Sequence, residues 1–308
     1  MEKTVQDAII QLGKEFPLLN WDFRMDASHE LVSGWLGSPA DQVMVCAFHG
    51  KRIDEPFHRQ DFFFLNFAYK GAYTALSNSA SNAIRIREHD CYIGQPYSGY
   101  AIRVNSRQTV TIIGVLIRKE VFFREFLPTL TLNDAMYRFF LTAETNRQSQ
   151  ECIHLTFSKE DPVWHLLDLM LTEYADRRND TPSVLKPMAL SLCMMIARKW
   201  KEQLPSEKGK TLSGQIMDYI HTHIESASLS EIGKIFGYHP GYLSTLLHQE
   251  TGKTFSALLL ELRMERAALL LSETGLSVEE VAASLGYSNA SNFYKAFKKY
   301  YGHAPRQT

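Results

Sequence analysis

Cysteine is scarce in this chain, and the four present, Cys46, Cys91, Cys152 and Cys193, form no Cys-x-x-Cys pair. That spacing offers neither a zinc motif nor a disulfide framework, so buried free thiols are expected. Long apolar runs are missing as well. Nothing approaches the roughly 18 consecutive apolar residues of a membrane span, and the first residues, MEKTVQDAIIQLGKEF, lack the apolar region of a signal peptide. A cytoplasmic protein without a membrane partner is the expectation. Neither sign of charge is in excess: 33 Lys and Arg meet 34 Asp and Glu, net −1, so any surface for a polyanion must be local. A glycine-rich phosphate loop and a nucleophile-and-base constellation are both lacking, so neither an enzyme nor a cofactor is expected.

What is present is an α+β pattern on 308 residues, 45% of them hydrophobic, enough for two domains with a core each. Val5, Ala8, Ile9, Leu12 and Phe16 fall at helical spacing ahead of Pro17. From about residue 20 to 118 the texture turns to short β-like runs, at 43–48, 62–69, 83–87, 91–93 and 109–117, with Gly, Asn and Pro between them. Such spacing predicts an antiparallel sandwich or barrel, able to hold one small ligand. Helical periodicity follows at 161–177 and 183–204, after a less regular stretch containing Met136, Phe139 and Phe140. The expected domains are 1–118, a sensor barrel with an N-terminal helix; 119–204, a helical packing and dimerisation region; 205–214, a linker of composition PSEKGKTLSG; and 215–308, a helical domain.

That last domain contains one pattern twice. Ser228-Leu229-Ser230-Glu231 and Ser277-Val278-Glu279-Glu280 each read as a helix N-terminal capping box, and Gly237-Tyr238 and Gly286-Tyr287 each as the break after a short helix. Leu243, Leu246, Leu247 and Gly252 then match Phe293, Ala296, Phe297 and Gly302. Two helix-turn-helix units follow, about fifty residues apart. Between them Phe255 to Ser272 reads as one helix, stopped at Gly275 and roughly 27 Å long, against the ~34 Å turn of a duplex. In the second unit Ser288 or Asn289 caps a helix whose core face is Phe293, Ala296, Phe297 and Tyr300, leaving Ser291, Asn292, Tyr294, Lys295, Lys298 and Lys299 free. Basic side chains at such a helix end also suit the helix dipole, which is the non-functional explanation for them.

Residues 214–308 resemble the DNA-binding domain of the AraC/XylS family of bacterial transcription regulators. The tandem units carry the resemblance, with the run RMERAALLLSET from Arg263 and, above all, GYSNASNFYKAFKKYYGHAPR from Gly286. It implies that Ser291, Asn292 and Lys295 face bases, with Lys298 towards the backbone. In the first unit the matching positions are Gly241, Ser244 and Thr245, with His248 one turn on. Many relatives carry Arg or Gln there; glycine reads nothing, and Ser and Thr are short, promiscuous partners for a base edge. Tyr294, Lys299 and Arg263 complete the expected DNA-binding set. From Lys210 to Thr308 nine Lys and Arg balance nine Asp and Glu, so the positive field is concentrated in the second unit.

The upstream part resembles the cupin-type sensor barrel and helical dimerisation region common in that family. A small-molecule effector is the implied ligand, with His58, Asn66, Tyr92 and Arg103 as candidate contacts; an aromatic interior without a cavity is the competing expectation. Double-stranded DNA, a homodimer partner and RNA polymerase are the implied macromolecular partners. Metal-binding cupins use a close His-x-His pair, which this chain lacks, although His49, His58 and His89 could converge in space. The alternatives are therefore an effector-controlled regulator, a ligand-independent one whose barrel only supports a dimer, and, last, a metal-dependent cupin enzyme.

Overall fold

The computed structural model describes residues 4–19, 21–25, 29–130, 152–203, 211–273 and 276–305. They form two compact units, one from the residues up to Phe122 with 152–203, the other from 123–130 with the residues after 210.

The first unit is built on a ten-stranded mixed sheet. Its strands are β1 (Phe23–Met25), β2 (Leu31–Ser33), β3 (Val43–Asp54), β4 (His58–Gln60), β5 (Phe62–Lys70), β6 (Tyr73–Ser77), β7 (Ala83–Ile86), β8 (Asp90–Gly94), β9 (Gly99–Arg118) and β10 (Cys152–Thr156). The long β9 is the spine, pairing along its length with β3, β4, β5 and β6. The expected all-antiparallel order needs correcting in one place: β2 runs parallel to β4, with Val32 opposite Arg59. β9 also begins ten residues before the apolar run at Thr109, because the polar Asn105-Ser106-Arg107-Gln108 stretch separates its two apolar halves.

Both faces of β5 are covered, which explains why its run is apolar on both sides except at Asn66. On one face Phe67 meets Trp164, and the Tyr69 hydroxyl donates to Asp168 at 2.7 Å. Both partners lie on α2 (Val163–Asp176), which runs beside α3 (Thr181–Gln203). α1 (Val5–Glu15) packs on β3 and is capped by a Thr4–Asp7 box. Among the described residues between β9 and β10 are three short helical pieces, Lys119–Val121, Phe122–Phe126 and Leu127–Leu130, the middle one of π type. Met136, Phe139 and Phe140 lie outside the described residues, as do 205–210 of the expected linker and the Gly275 stop.

The second unit holds α4 (Leu212–Thr222), α5 (Leu229–Phe236), α6 (Pro240–Thr251), α7 (Phe255–Glu273), α8 (Val278–Ser284) and α9 (Ala290–Tyr301). Residues 211–214 are not linker: the Thr211 side chain caps α4 by accepting from the Gly214 N–H at 3.2 Å, and Ile216 and Ile220 anchor the helix in the core. Two apolar cores follow the repeat. One gathers Ile216, Ile220, Ile232, Leu243 and Leu247; the other gathers Met264, Val281, Leu285, Phe293 and Phe297. α7 spans both, since Leu259 and Leu262 pack against each core. Among the described residues no helix is long and apolar enough to cross a membrane.

Candidate nucleic-acid interface

The second helix-turn-helix unit is set by its caps. The Ser277 hydroxyl accepts from the Glu280 N–H at 3.2 Å, and the Glu280 carboxylate accepts from the Ser277 N–H at 2.7 Å, the reciprocal pair of a capping box. α8 ends at Ser284, with Leu285 as its C-cap, and the chain turns through Gly286, whose φ of 78° favours glycine. A Cβ at Gly286 would run into the Glu225 carbonyl, a second reason for glycine. Asn289 then caps α9, its side chain accepting from the Asn292 N–H at 2.8 Å.

Phe293 and Phe297 point into the core, and the helical period turns the other side outward. Ser291, Asn292, Tyr294, Lys295, Lys298 and Lys299 are all exposed on it. One core assignment changes: Tyr300 is 41% exposed, and Tyr301, one position on, packs against Phe297 and donates to the Met264 carbonyl at 3.2 Å. Positions 300 and 301 are equally compatible with a face set by 293 and 297, so only the contact with α7 decides between them.

The first unit repeats the backbone but not the chemistry. Ser228 caps α5 through the Glu231 N–H at 3.2 Å, and Gly237 makes the left-handed turn with φ 75°. His239 caps α6, its Nδ1 accepting from the Gly241 N–H at 3.1 Å; a neutral ring therefore carries its proton on Nε2. Gly241, Thr245 and His248 are exposed, and Ser244 is partly so. The Thr245 hydroxyl donates to the Gly241 carbonyl at 3.1 Å, which leaves it an acceptor and a methyl group to offer. Two residues missed in the sequence stand beside these. Tyr238 and Tyr242 are 44% and 51% exposed and stack at 5.4 Å. The paired Gly-Tyr motifs suggest one role for both tyrosines, yet Tyr287 packs on Phe293 while Tyr238 faces solvent.

Arg263 leaves the DNA-binding set. Its Nε donates to the Ile224 carbonyl at 2.9 Å, an Nη donates to the Glu225 carbonyl at 3.0 Å, and the guanidinium lies against the Tyr287 ring. A fork spent on two backbone carbonyls is a structural clamp.

The four expected effector contacts divide in two. Asn66 and Tyr92 do meet, opposite each other on β5 and β8. The Asn66 amide donates to the Tyr100 hydroxyl at 3.0 Å, Tyr92 donates to Ser77 Oγ at 2.7 Å, and the rings of Phe64, Tyr92 and Tyr100 pack together. Burial pushes the Tyr73, Tyr92 and Tyr100 phenols well above their usual range, so they are neutral hydrogen-bonding groups. His58 is buried, with Nδ1 on the Pro56 carbonyl at 2.8 Å and Nε2 on the Gln60 amide at 3.0 Å, which leaves no ring nitrogen for a ligand. Arg103 turns away to the Glu55 carbonyl and the Asp54 carboxylate. These two are corrected: the strand register that places Tyr100 inside places Arg103, three residues on, outside. His49 is bonded to Thr111 at 2.9 Å and His89 lies 5.3 Å from the Trp164 ring; no three of His, Cys, Asp and Glu converge as a metal site among the described residues.

Comparison with known proteins agrees with this geometry. A helix-turn-helix domain profile matches residues 232–308. The chain is similar to an uncharacterized HTH-type transcriptional regulator, YobQ of Bacillus subtilis, at 30% identity over 147 residues, 47% of this chain and 55% of that protein. It is also similar to the Msm operon regulatory protein of Streptococcus mutans, at 31% over 97 residues, 31% of this chain and 35% of that one. The chain thus spans about half or less of these curated relatives. Among solved structures, the C-terminal domain of AraT from Geobacillus stearothermophilus is 35% identical, covering 31% of this chain and 81% of that one with a TM-score of 0.30. ToxT from Vibrio cholerae, solved with an unsaturated fatty acid bound, is 13% identical over 85% of this chain and 93% of its own, with a TM-score of 0.33. With its tandem units, its caps and the 232–308 match together, the C-terminal part of the chain carries an AraC-type helix-turn-helix domain, similar to that of HTH-type transcriptional regulators.

Proposed function

We propose that the whole chain is a sequence-specific DNA-binding transcription regulator whose second helix-turn-helix unit does most of the base reading. The observation that carries this is the outer side of α9, where Ser291, Asn292, Tyr294, Lys295, Lys298 and Lys299 are all exposed on a helix capped at Asn289 and anchored by Phe293 and Phe297. A capped, anchored second helix with a polar and basic free face is what a major groove accepts. Gly241, Ser244, Thr245 and His248 give the first unit backbone and methyl contacts, to which the Tyr238 and Tyr242 hydroxyls add donors. Selection of the full chain against random duplexes tests the reading: enrichment of two short motifs one helical turn apart supports it, and recovery of unenriched sequence overturns it.

Control by a small molecule in the sheet interior has less support. Asn66 and Tyr92 are already bonded to Tyr100 and Ser77, so a ligand must break those bonds to enter. That favours the reading in which the N-terminal unit is a scaffold, with Leu169 on α2 and Met194 on α3, 56% and 41% exposed, offered to a second copy. Thermal melting against a metabolite panel separates the two, because only a bound ligand raises the midpoint.

A further inference from the structure

Cations gather on one outer face of the N-terminal sheet. Register sets Arg52 opposite Asn105 and Asp54 opposite Arg103 across β3 and β9; Arg103 in turn stands opposite Thr74 on β6, and Thr74 opposite Arg85 on β7. Opposed residues project from the same face, and residues two apart along a strand share it. Arg87 lies just past the end of β7, two residues after Arg85. Within the β3–β9 ladder, where the register shifts between Gly50 and Arg52, Lys51 and Arg107 join Arg52, Asn105 and Ser106 around an open concavity of about 820 Å³.

Lys51, Arg52, Arg85, Arg87 and Arg107 are all exposed, and among the described residues none of their side chains has an acid partner. The acids nearby are taken: Asp54 pairs with Arg103, Glu88 accepts from the Gly71 N–H at 2.6 Å, and the buried Asp90 accepts from the Arg87 backbone N–H at 2.8 Å and the Thr156 hydroxyl at 2.8 Å. A solvated strand face is the ordinary explanation for Arg85 beside Ile84 and Ile86. It does not explain why one sign collects over β3, β7 and β9 in a chain of net charge −1. Like charges on neighbouring strands repel, so the arrangement stabilises nothing until a polyanion covers it. Four of the five unpaired cations are arginines, whose planar fork matches phosphate oxygens two at a time.

We propose that this face is a second, sequence-independent contact for the phosphate backbone of duplex DNA. The proposal rests on the reading that the C-terminal unit binds duplex DNA, which supplies the polyanion. Base specificity stays with α9, while the sheet face adds affinity and salt dependence on DNA flanking the recognised motif.

The test uses the full chain and two probes: a duplex enriched by selection, and the same motif trimmed of its flanks. Binding is measured from 50 to 300 mM KCl for the wild type and for a variant combining Arg52→Gln, Arg85→Gln, Arg87→Gln and Arg107→Gln. Removing one cation from a phosphate lowers the slope of log K against log salt by about 0.9. The expected result is a slope about two to four smaller for the variant on the flanked duplex, no change on the trimmed one, and unaltered preference between motifs. An unchanged slope on the flanked duplex overturns the proposal. So does a variant that binds DNA normally but no longer binds phosphatidylglycerol vesicles, which would assign the face to anionic lipid. If the wild type binds neither duplex, the DNA reading itself falls, a result distinct from wild-type binding that the variant reproduces.

Discussion

The guanidinium of Arg263 lies 5.4 Å from the centre of the Tyr287 ring while it donates to the carbonyls of Ile224 and Glu225. Ile224 follows α4, which opens the first helix-turn-helix unit, yet it is buried in the core of the second, with Phe293 and Phe297. Tyr287 stands in the turn of that second unit. One side chain of α7 therefore ties the lead-in of the first reader to the turn of the second, and Gly286 leaves the space that lets them approach.

Arg263→Ala removes two hydrogen bonds from a charged donor, worth about 1.5–3 kcal/mol each at most. The expected outcome is a lower denaturation midpoint for the helical domain. Selected DNA should also show a wider spread of distances between the two motifs, because the units no longer hold a fixed orientation. Arg263→Lys should restore little of this, as an ammonium cannot hold both carbonyls and lie flat on Tyr287. A variant with wild-type stability and wild-type motif spacing rules out the clamp.

Lys295 and Lys298 separate base reading from phosphate contact. Lys295→Ala is expected to weaken binding to the selected motif by ~1–3 kcal/mol with little effect on random DNA. Lys298→Ala is expected to weaken both alike and to lower the salt slope by about one. Titrations of each variant on both duplexes decide, and equal weakening on both for Lys295→Ala rejects its base-facing role.

How far the sequence revealed this fold depended on how local the cause was. The units after residue 228 were readable because caps, turn glycines and apolar spacing act within a few residues: Ser277 with Glu280, Gly286, and Asn289 are each visible in the chain itself. α4 was hidden because Thr211, Ser213 and Gly214 have the composition of a linker, although Thr211 is a cap. The choice between Tyr300 and Tyr301, and the inward turn of Arg263, depend on residues dozens of positions away. Strand pairing is non-local throughout: nothing near Arg103 announces that its neighbours across three strands are Asp54, Thr74 and Arg85.

The Ser277 cap gives a pH dependence of known sign. Hydrogen bonds from the Ser277 N–H and hydroxyl hold the Glu280 carboxyl below its ordinary pKa. A depressed acid stabilises the fold above its unfolded value, near 4.3, and that contribution disappears as pH falls through the folded value. Ser277→Ala should cost ~1 kcal/mol at neutral pH through removal of the cap. The cost should shrink below about pH 4, where the wild type gives up its carboxylate partner as well. Urea unfolding at pH 7 and pH 3.5 checks it, and a cost independent of pH excludes the reciprocal box.

Glu55 carries the opposite sign. Its carboxyl is buried at the end of β3, accepts from the Ile102 N–H at 2.9 Å, and is pushed up to about 7 by burial, with Arg103 only partly opposing the shift. The unfolded chain releases this proton near pH 4.3 while the folded chain holds it to about 7, so in that window the native state binds more protons. Stability attributable to Glu55 is therefore complete below about pH 4.3 and declines as pH rises to about 7, by on the order of 3 kcal/mol. Glu55→Gln keeps an acceptor for Ile102 and removes the charge, so the N-terminal unit should become flatter in stability from pH 5 to pH 8 and firmer at the upper end. Denaturation midpoints of the full chain across that range, followed by near-ultraviolet signals of the tryptophans, all of which lie outside the helical domain, test this. A Gln variant that falls in stability with pH as steeply as the wild type places the titrating group elsewhere.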